Sequence, residues 1–462
     1  MSKSENTNLK KENPLGSEPV PKLIKNFAIP SIIAMVVGSF YNIVDQLFIG
    51  QTVGTLGNAA TNVVFPLSTP CVALALLCGI GGASCFNLSM GRGEKEKAGF
   101  FIGNSTSMMM LIGIIFFLIV EIFLDPLLIA CGSPKGVLPY AKSYMKITAI
   151  GFPFFILSIG GGHFFRGDGS PKVAMMCSLS GAIINIILDA IFLIGFNMGM
   201  QGAALATIIG QIVSGLIVIF YLKNYKTVKL LKEHFKIKSI YAKEISAIGT
   251  ASFMNQMAMM VIQVVLNNSL KYYGSLSVYG EAIPLACAGI VMKVAQLFFS
   301  VVIGIGQGCQ PIESFNYGAK KYDRVKQTYK IANMAAASIS IVAFLLFQIF
   351  PRQILSMFGE GNEAYYEFGS RYFRIYLFFI CINFIQPLTS TLFSSIGKPI
   401  KGTFLSLTRQ IIFLLPLVII LPRFMGIDGI LYAGPIADLT AFCIASVMAF
   451  LEFKNMKKLD DI

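Results

Sequence analysis

Twelve long apolar runs limit the folds open to this chain. They cover approximately residues 26–50, 61–88, 99–122, 141–162, 173–195, 202–222, 245–270, 280–306, 331–350, 367–393, 403–421 and 430–452. A helix needs about 20 mostly apolar residues to cross a bilayer, whereas a barrel strand needs about 9–11 with alternating polarity. The runs therefore predict an all-α polytopic membrane protein with twelve transmembrane helices. Composition agrees, since 55% of the 462 residues are hydrophobic and 13% are charged. A soluble enzyme of this length could not be given a polar surface from so few charges.

The net charge of +14 raises the question of nucleic-acid binding. The positions of the basic residues answer it. With the N-terminus in the cytoplasm, the segments on that side hold 27 of the 37 Lys and Arg, and the opposite segments hold 8. This asymmetry is the positive-inside rule, and it predicts that both termini are cytoplasmic. The basic excess orients the chain in a lipid bilayer, and no nucleic-acid partner is expected. Residues 1–21 are polar, carry Pro14, Pro19 and Pro21, and read as a disordered tail. Residues 454–462 read as a second cytoplasmic tail.

The chain tells its story twice. At an offset of 225 residues, Gly79, Ile80, Gly81, Ser89, Gly93 and Lys95 recur as Gly304, Ile305, Gly306, Ser314, Gly318 and Lys320. Residues 169–173 (GSPKV) lead to Gly199 and Gly202, as residues 397–401 (GKPIK) lead to Gly426 and Gly429. Six helices are thus duplicated in the same direction. Residues 22–222 form an N-lobe, 223–244 a linker and 245–453 a C-lobe, two bundles related by a pseudo-two-fold axis along the membrane normal. Such repeats suit transporters that rock around a central cavity.

Acids inside spans cost at least ~2.5–3.5 kcal/mol at the bilayer centre, so they point to function. Asp45 lies in the first span and Asp189 in the fifth. Asn185 is one helical turn from Asp189 on the same face. Thr207 lies in the sixth span. Asp45, Asp189 and Thr207 sit roughly 8–9 Å below the outer boundary, with Asn185 slightly deeper. Four oxygen-bearing side chains at similar depth suit a small cation, and two close carboxylates suit a proton. Hydrogen-bond glue between helices is the competing reading.

The order and spacing of these motifs resemble the multidrug and toxic compound extrusion (MATE) family, in its bacterial MepA-like branch. The resemblance spans nearly all of residues 22–455. It rests on Pro30 with Asn42-Ile-Val-Asp45-Gln-Leu-Phe-Ile-Gly50, on Phe165-Arg166-Gly167-Asp168-Gly169, on Asn185 with Asp189, on Gly199 through Thr207, and on Leu407 through Pro416. It implies a monomeric efflux antiporter without a cofactor. Such a protein exports amphipathic, mostly cationic organic compounds in exchange for inward Na⁺ or H⁺. It further implies that Asp45, Asn185, Asp189 and Thr207 form the N-lobe cation site and that the first helix bends around Pro30. Some branches carry a second acidic site in the C-lobe. Here the seventh span has no acid and the tenth has only Glu367 at its outer end, which argues for coupling through the N-lobe.

Gln256, Met260, Gln263 and Asn267 share one face of the seventh span and could contact substrate, as could Asp45. Glu281 reads as a solvated acid at a helix start. Lys293, near mid-membrane, needs a partner, and Asp438 is the acid expected to supply it. Arg409 is expected to snorkel to the cytoplasmic boundary. The histidines, His163 and His234, fall in cytoplasmic connections. The nine cysteines are scattered, mostly within spans, and read as packing residues. Three alternatives stand against the efflux antiporter: a lipid-linked sugar flippase, which would want a cavity dense in arginine; a membrane-embedded enzyme, for which no catalytic constellation is found; and a channel or scaffold, in which the duplicated architecture and paired acids would have no role.

Overall fold

The computed structural model describes residues 13–358 and 361–460. Twelve helical stretches run back and forth. In the first half they are α1 (Val20–Thr52), α2 (Thr55–Arg92), α3 (Lys95–Ile122), α4 (Leu138–Gly167), α5 (Pro171–Gly195) and α6 (Gly199–Lys223). In the second half they are α7 (Ser239–Ser275), α8 (Ala282–Gly318), α9 (Tyr322–Ile349), α10 (residues 363–395), α11 (Pro399–Met425) and α12 (Ile427–Asp460). Eleven are long and apolar enough to cross a membrane.

The tenth expected span, 367–393, forms α10, which is broken. Helix Glu363–Tyr376 passes through a short 3-10 turn, Phe378–Cys381, before helix Ile385–Ser395 begins. Pro387 gives the reason: it has no N–H to donate and its ring crowds the carbonyl four residues back, at Asn383.

The repeated glycine–proline motif has a direct structural meaning. Gly169 and Gly397 both adopt left-handed backbone, with φ of 75° and 73°. After each, the chain bonds back over the helix it has left: Ser170 N to Phe165 O and Lys398 N to Phe393 O, both 2.8 Å. Pro171 and Pro399 then open α5 and α11 at the first helical position, where a missing N–H costs nothing. Both of these helices also contain a wide π-helical segment, residues 190–195 and 408–414.

One large apolar core gathers buried residues from Ile49 to Ile248, and a second gathers Ile262 to Ala437. The halves meet near the basic ends of their helices. Gly304 and Gly308 of α8 lie against Ile32 and Ala28 of α1, and Gly249 of α7 lies against Leu77 of α2. Absent side chains let these backbones approach closely. Ser39 and Ser300 hydrogen-bond across α1 and α8 at 2.7 Å. Gln310 of α8 donates to Ser84 of α2 (2.9 Å) and lies 3.2 Å from Nδ1 of His163 on α4. His163 is therefore buried inside a helix, correcting its expected place in a connection.

Farther from the basic ends the facing surfaces open. On the face of α8 that carries Ser300 and Gly304, a Cβ added at Gly289 would meet nothing within 4 Å.

The polar tail expected over residues 1–21 needs correction where it is described; residues 1–12 lie outside the described residues. Pro14–Ser17 form a short helix with Leu15 buried. Asn316 and Arg324 donate to Leu15 O at 2.8 and 3.1 Å, and Lys321 donates to Gly16 O at 2.9 Å. These bonds tie the start of the chain to the second half. At the other end, α12 continues as helix through Asp460, beyond the expected boundary at residue 453.

The segment 223–244 packs on the first half. Asn104 binds both His234 O (2.9 Å) and Lys238 N (2.6 Å). Asp168 accepts from Lys226 N, Thr227 N, Thr227 Oγ1 and Tyr221 Oη at 2.6–2.9 Å. Burial pushes the Asp168 carboxyl above the ordinary carboxylate range, against the four donors that pull it down. This is what the Phe165–Gly169 motif does: it clamps the linker.

Candidate cation site and central gap

α5 and α6 come unusually close because both are small at the crossing. Gly181 lies against Gly210 O, and Gly210 lies against Gly181 O and the Asn185 side chain. That approach brings Asn185 to Thr207. With the amide nitrogen toward α5, Asn185 donates to Asp189 Oδ2 at 3.2 Å while its oxygen accepts from Thr207 N at 3.2 Å. Asp189 is the last residue before the π-helical segment and is fully buried. From α1, Asp45 reaches across, so that the two carboxyl groups lie close enough to interact electrostatically.

The structure thus brings Asp45, Asn185, Asp189 and Thr207 into one cluster. It adds two residues the sequence did not single out. Tyr144 of α4 places its hydroxyl 3.4 Å from Thr207 Oγ1. Tyr41, one turn before Asp45, lies within electrostatic reach of both carboxylates, as does Tyr144. Asp45 Oδ1 and Asp189 Oδ1 are buried, and neither has a hydrogen-bond partner. A buried anionic oxygen without a donor is costly. The cluster therefore has the chemistry of a site for one small cation or a proton: two acids, an amide oxygen, hydroxyls and no basic side chain. No group of three or more His, Cys, Asp and Glu suited to a metal ion occurs among the described residues.

Pro30 is buried in α1, which runs helical through it. Ser31 Oγ donates to Phe27 O at 2.8 Å beside it.

Gln256, Met260, Gln263 and Asn267 stand apart from the acidic cluster. They continue the face of α7 on which Gly249 meets α2, so they face the gap between the halves. Gln263 donates to Asn267 at 3.2 Å. Asp45, whose carboxyl turns toward Asp189, belongs with the acids of the first half and not with this face.

The expected Lys293–Asp438 pair is not formed. Asp438 is buried and paired with Arg409, whose Nε lies 2.5 Å from Oδ1. Asn383, at the break in α10, donates to the same oxygen at 3.0 Å. Arg409 is accordingly an ion-pair partner inside the second half and does not snorkel. Lys293 is exposed. Glu281 is half-exposed at the start of α8, 3.9 Å from Lys271. Glu313 escaped notice in the sequence because it fell just beyond the expected end of the eighth span; it is buried near the basic end of α8.

The MatE family model matches residues 30–191 and 251–420. The chain is similar to the multidrug export protein MepA of Staphylococcus aureus (strain MRSA252), with 24% identity over 434 residues, covering 94% of both chains. Its fold is similar to a solved structure of MATE in the straight conformation, with TM-score 0.89 and 22% identity over 96% of this chain and 98% of that one. It is also similar to an outward-facing multidrug resistance MATE family transporter of the MOP superfamily, with TM-score 0.85 and 22% identity over 95% and 97%.

Proposed function

The chain belongs to the MatE family of membrane transporters, and we propose that it is a multidrug efflux antiporter. It exports small amphipathic organic compounds, the cationic ones implied by the family resemblance among them, in exchange for Na⁺ or H⁺. The observation that carries this reading is the Asp45–Asp189 pair, with two buried carboxylate oxygens that no side chain satisfies. An inward-moving cation or proton satisfies them.

In this reading the protein works as a monomer in the bacterial plasma membrane, with both termini and the basic loops in the cytoplasm. The conformation described is then outward-open: the halves meet at the cytoplasmic end and the gap faces outside. The ion enters from outside, binds at Asp45 and Asp189, and favours the state that releases substrate outward. It must bind the two states differently, because equal affinity would shift nothing.

The test is ethidium accumulation in cells. Cells with the protein should accumulate less dye than cells without it, and Asp45→Asn cells should accumulate as much as cells without it, at equal protein in the membrane. Low accumulation in the Asp45→Asn cells would remove the reading.

A further inference from the structure

We infer that Lys293 is a substrate-recognition residue, and that the exported compounds include amphipathic molecules that bind with an acidic group against it. The inference rests on the export reading above and narrows its substrate class.

The register of α8 sets the direction of Lys293. Ser300, two turns along, lies on the same face and bonds Ser39 of α1. Gly304 continues that face against Ile32 of α1. Gln310, a little to one side, bonds Ser84 of α2. Followed toward the other end of the helix, this face is the stripe Ala282, Ala286, Gly289, Lys293 and Gln296, and all five are exposed. Open space around Gly289 shows that no neighbouring helix covers the stripe, and its register with Ser300 and Gly304 turns it toward the first half. Lys293 therefore points from the second half toward the first, across the gap.

Its depth rules out the cheap explanation. Lys293 lies eleven residues inside the start of α8, about 16 Å along the helix. From there its stem cannot carry the ammonium to the helix end. Nor has it a protein partner: among the described residues no hydrogen bond or ion pair reaches it, Asp438 is held by Arg409, and Glu281 lies beside Lys271. A charge held this deep without a partner belongs to a substrate or ion pathway.

The surrounding walls give that charge its meaning. Asn42 and Gln46 follow Ser39 on the facing side of α1, and Gln256, Gln263 and Asn267 line α7. α2 carries no acidic or basic side chain from Thr55 to Gly91. More than six residues from either end, the four helices bordering the gap hold one other charge, Asp45. It is turned to Asp189, and Glu313, near the basic end of α8, is buried. Amides bind polar groups of either sign, whereas the ammonium of Lys293 adds a preference for an anionic one. An amphipathic compound carrying a carboxylate, zwitterions included, fits this gap better than a purely cationic one.

The experiment uses the purified full-length protein and two dyes on one scaffold: a rhodamine with a free carboxyl and its methyl ester. Binding is read by fluorescence polarisation with no ion gradient imposed. The wild-type protein should bind the free acid about tenfold more tightly than the ester, Lys293→Arg should keep that preference, and Lys293→Gln should abolish it. An unchanged melting temperature in Lys293→Gln confirms folding, which is expected at an exposed position. An unchanged preference in Lys293→Gln would overturn the inference, as would wild-type protein that prefers the ester or binds neither dye. Ion coupling is measured separately in vesicles. Failure of coupling with the acid preference intact would count against the antiport reading and leave this assignment standing.

Discussion

The two halves each hold a buried polar cluster beside a π-helical segment, in α5 and in its repeat mate α11, yet the clusters are electrostatic opposites. In the first half, Asp45 and Asp189 face each other with hydroxyls and an amide and no basic side chain. In the second half, Asp438 is held by Arg409 and Asn383. Duplication gave both halves a wide helical turn that can present polar groups to the interior. Only in the first cluster do the acids lack a fixed basic partner. In the other, a guanidinium that stays charged at any physiological pH fills that role permanently. Two similar bundles thus need not play the same part. In the mechanism proposed above, the first half exchanges a cation while the gap-facing surface of the second meets substrate.

The largest expected effect comes from breaking the fixed pair. Arg409→Gln leaves Asp438 buried and uncompensated, and should destabilise the protein by about 3–5 kcal/mol. It should lower the melting temperature in detergent, and adding Asp438→Asn should recover most of the loss. Equal stability of Arg409→Gln and wild type would mean that the second half tolerates a free acid, and the contrast between the halves would collapse. A smaller effect probes the contrast from the other side. Asn185→Ala removes a neutral bridge between Asp189 and Thr207 and should cost only about 0.5–1.5 kcal/mol. Its apparent affinity for the coupling cation should fall nonetheless, because the Asp189 carboxyl loses the group that orients it. A stability loss without any change in ion dependence would make Asn185 interhelical glue.

Much of this was legible in the sequence, and the parts that were not share a cause. Apolar run length marked eleven of the crossing helices directly, because a bilayer demands it. Depth and helical register grouped Asp45, Asn185, Asp189 and Thr207, since residues at one level on neighbouring spans have a fair chance of meeting. For Lys293 and Asp438 depth misled. It says how far along a helix a residue lies, and says nothing of which helices are neighbours. The π-helical segment in α11 and the break in α10 also shift register where Arg409 and Asn383 converge on Asp438. Tyr144 was hidden by company, since aromatic residues make up 12% of the chain and its hydroxyl acquires meaning only beside Thr207. The docking of Leu15 on Asn316 and Arg324 joins residues some 300 positions apart through backbone carbonyls, which no side-chain pattern announces.

Coupling of an inward cation to outward transport through the Asp45–Asp189 pair is best examined in reconstituted vesicles, with the Na⁺ gradient and the pH gradient imposed one at a time. At least one gradient should drive dye transport by the wild-type protein, and neither should do so in Asp45→Asn or Asp189→Asn. Wild-type transport indifferent to both gradients, or gradient-driven transport surviving in both variants, would contradict the coupling role of the pair.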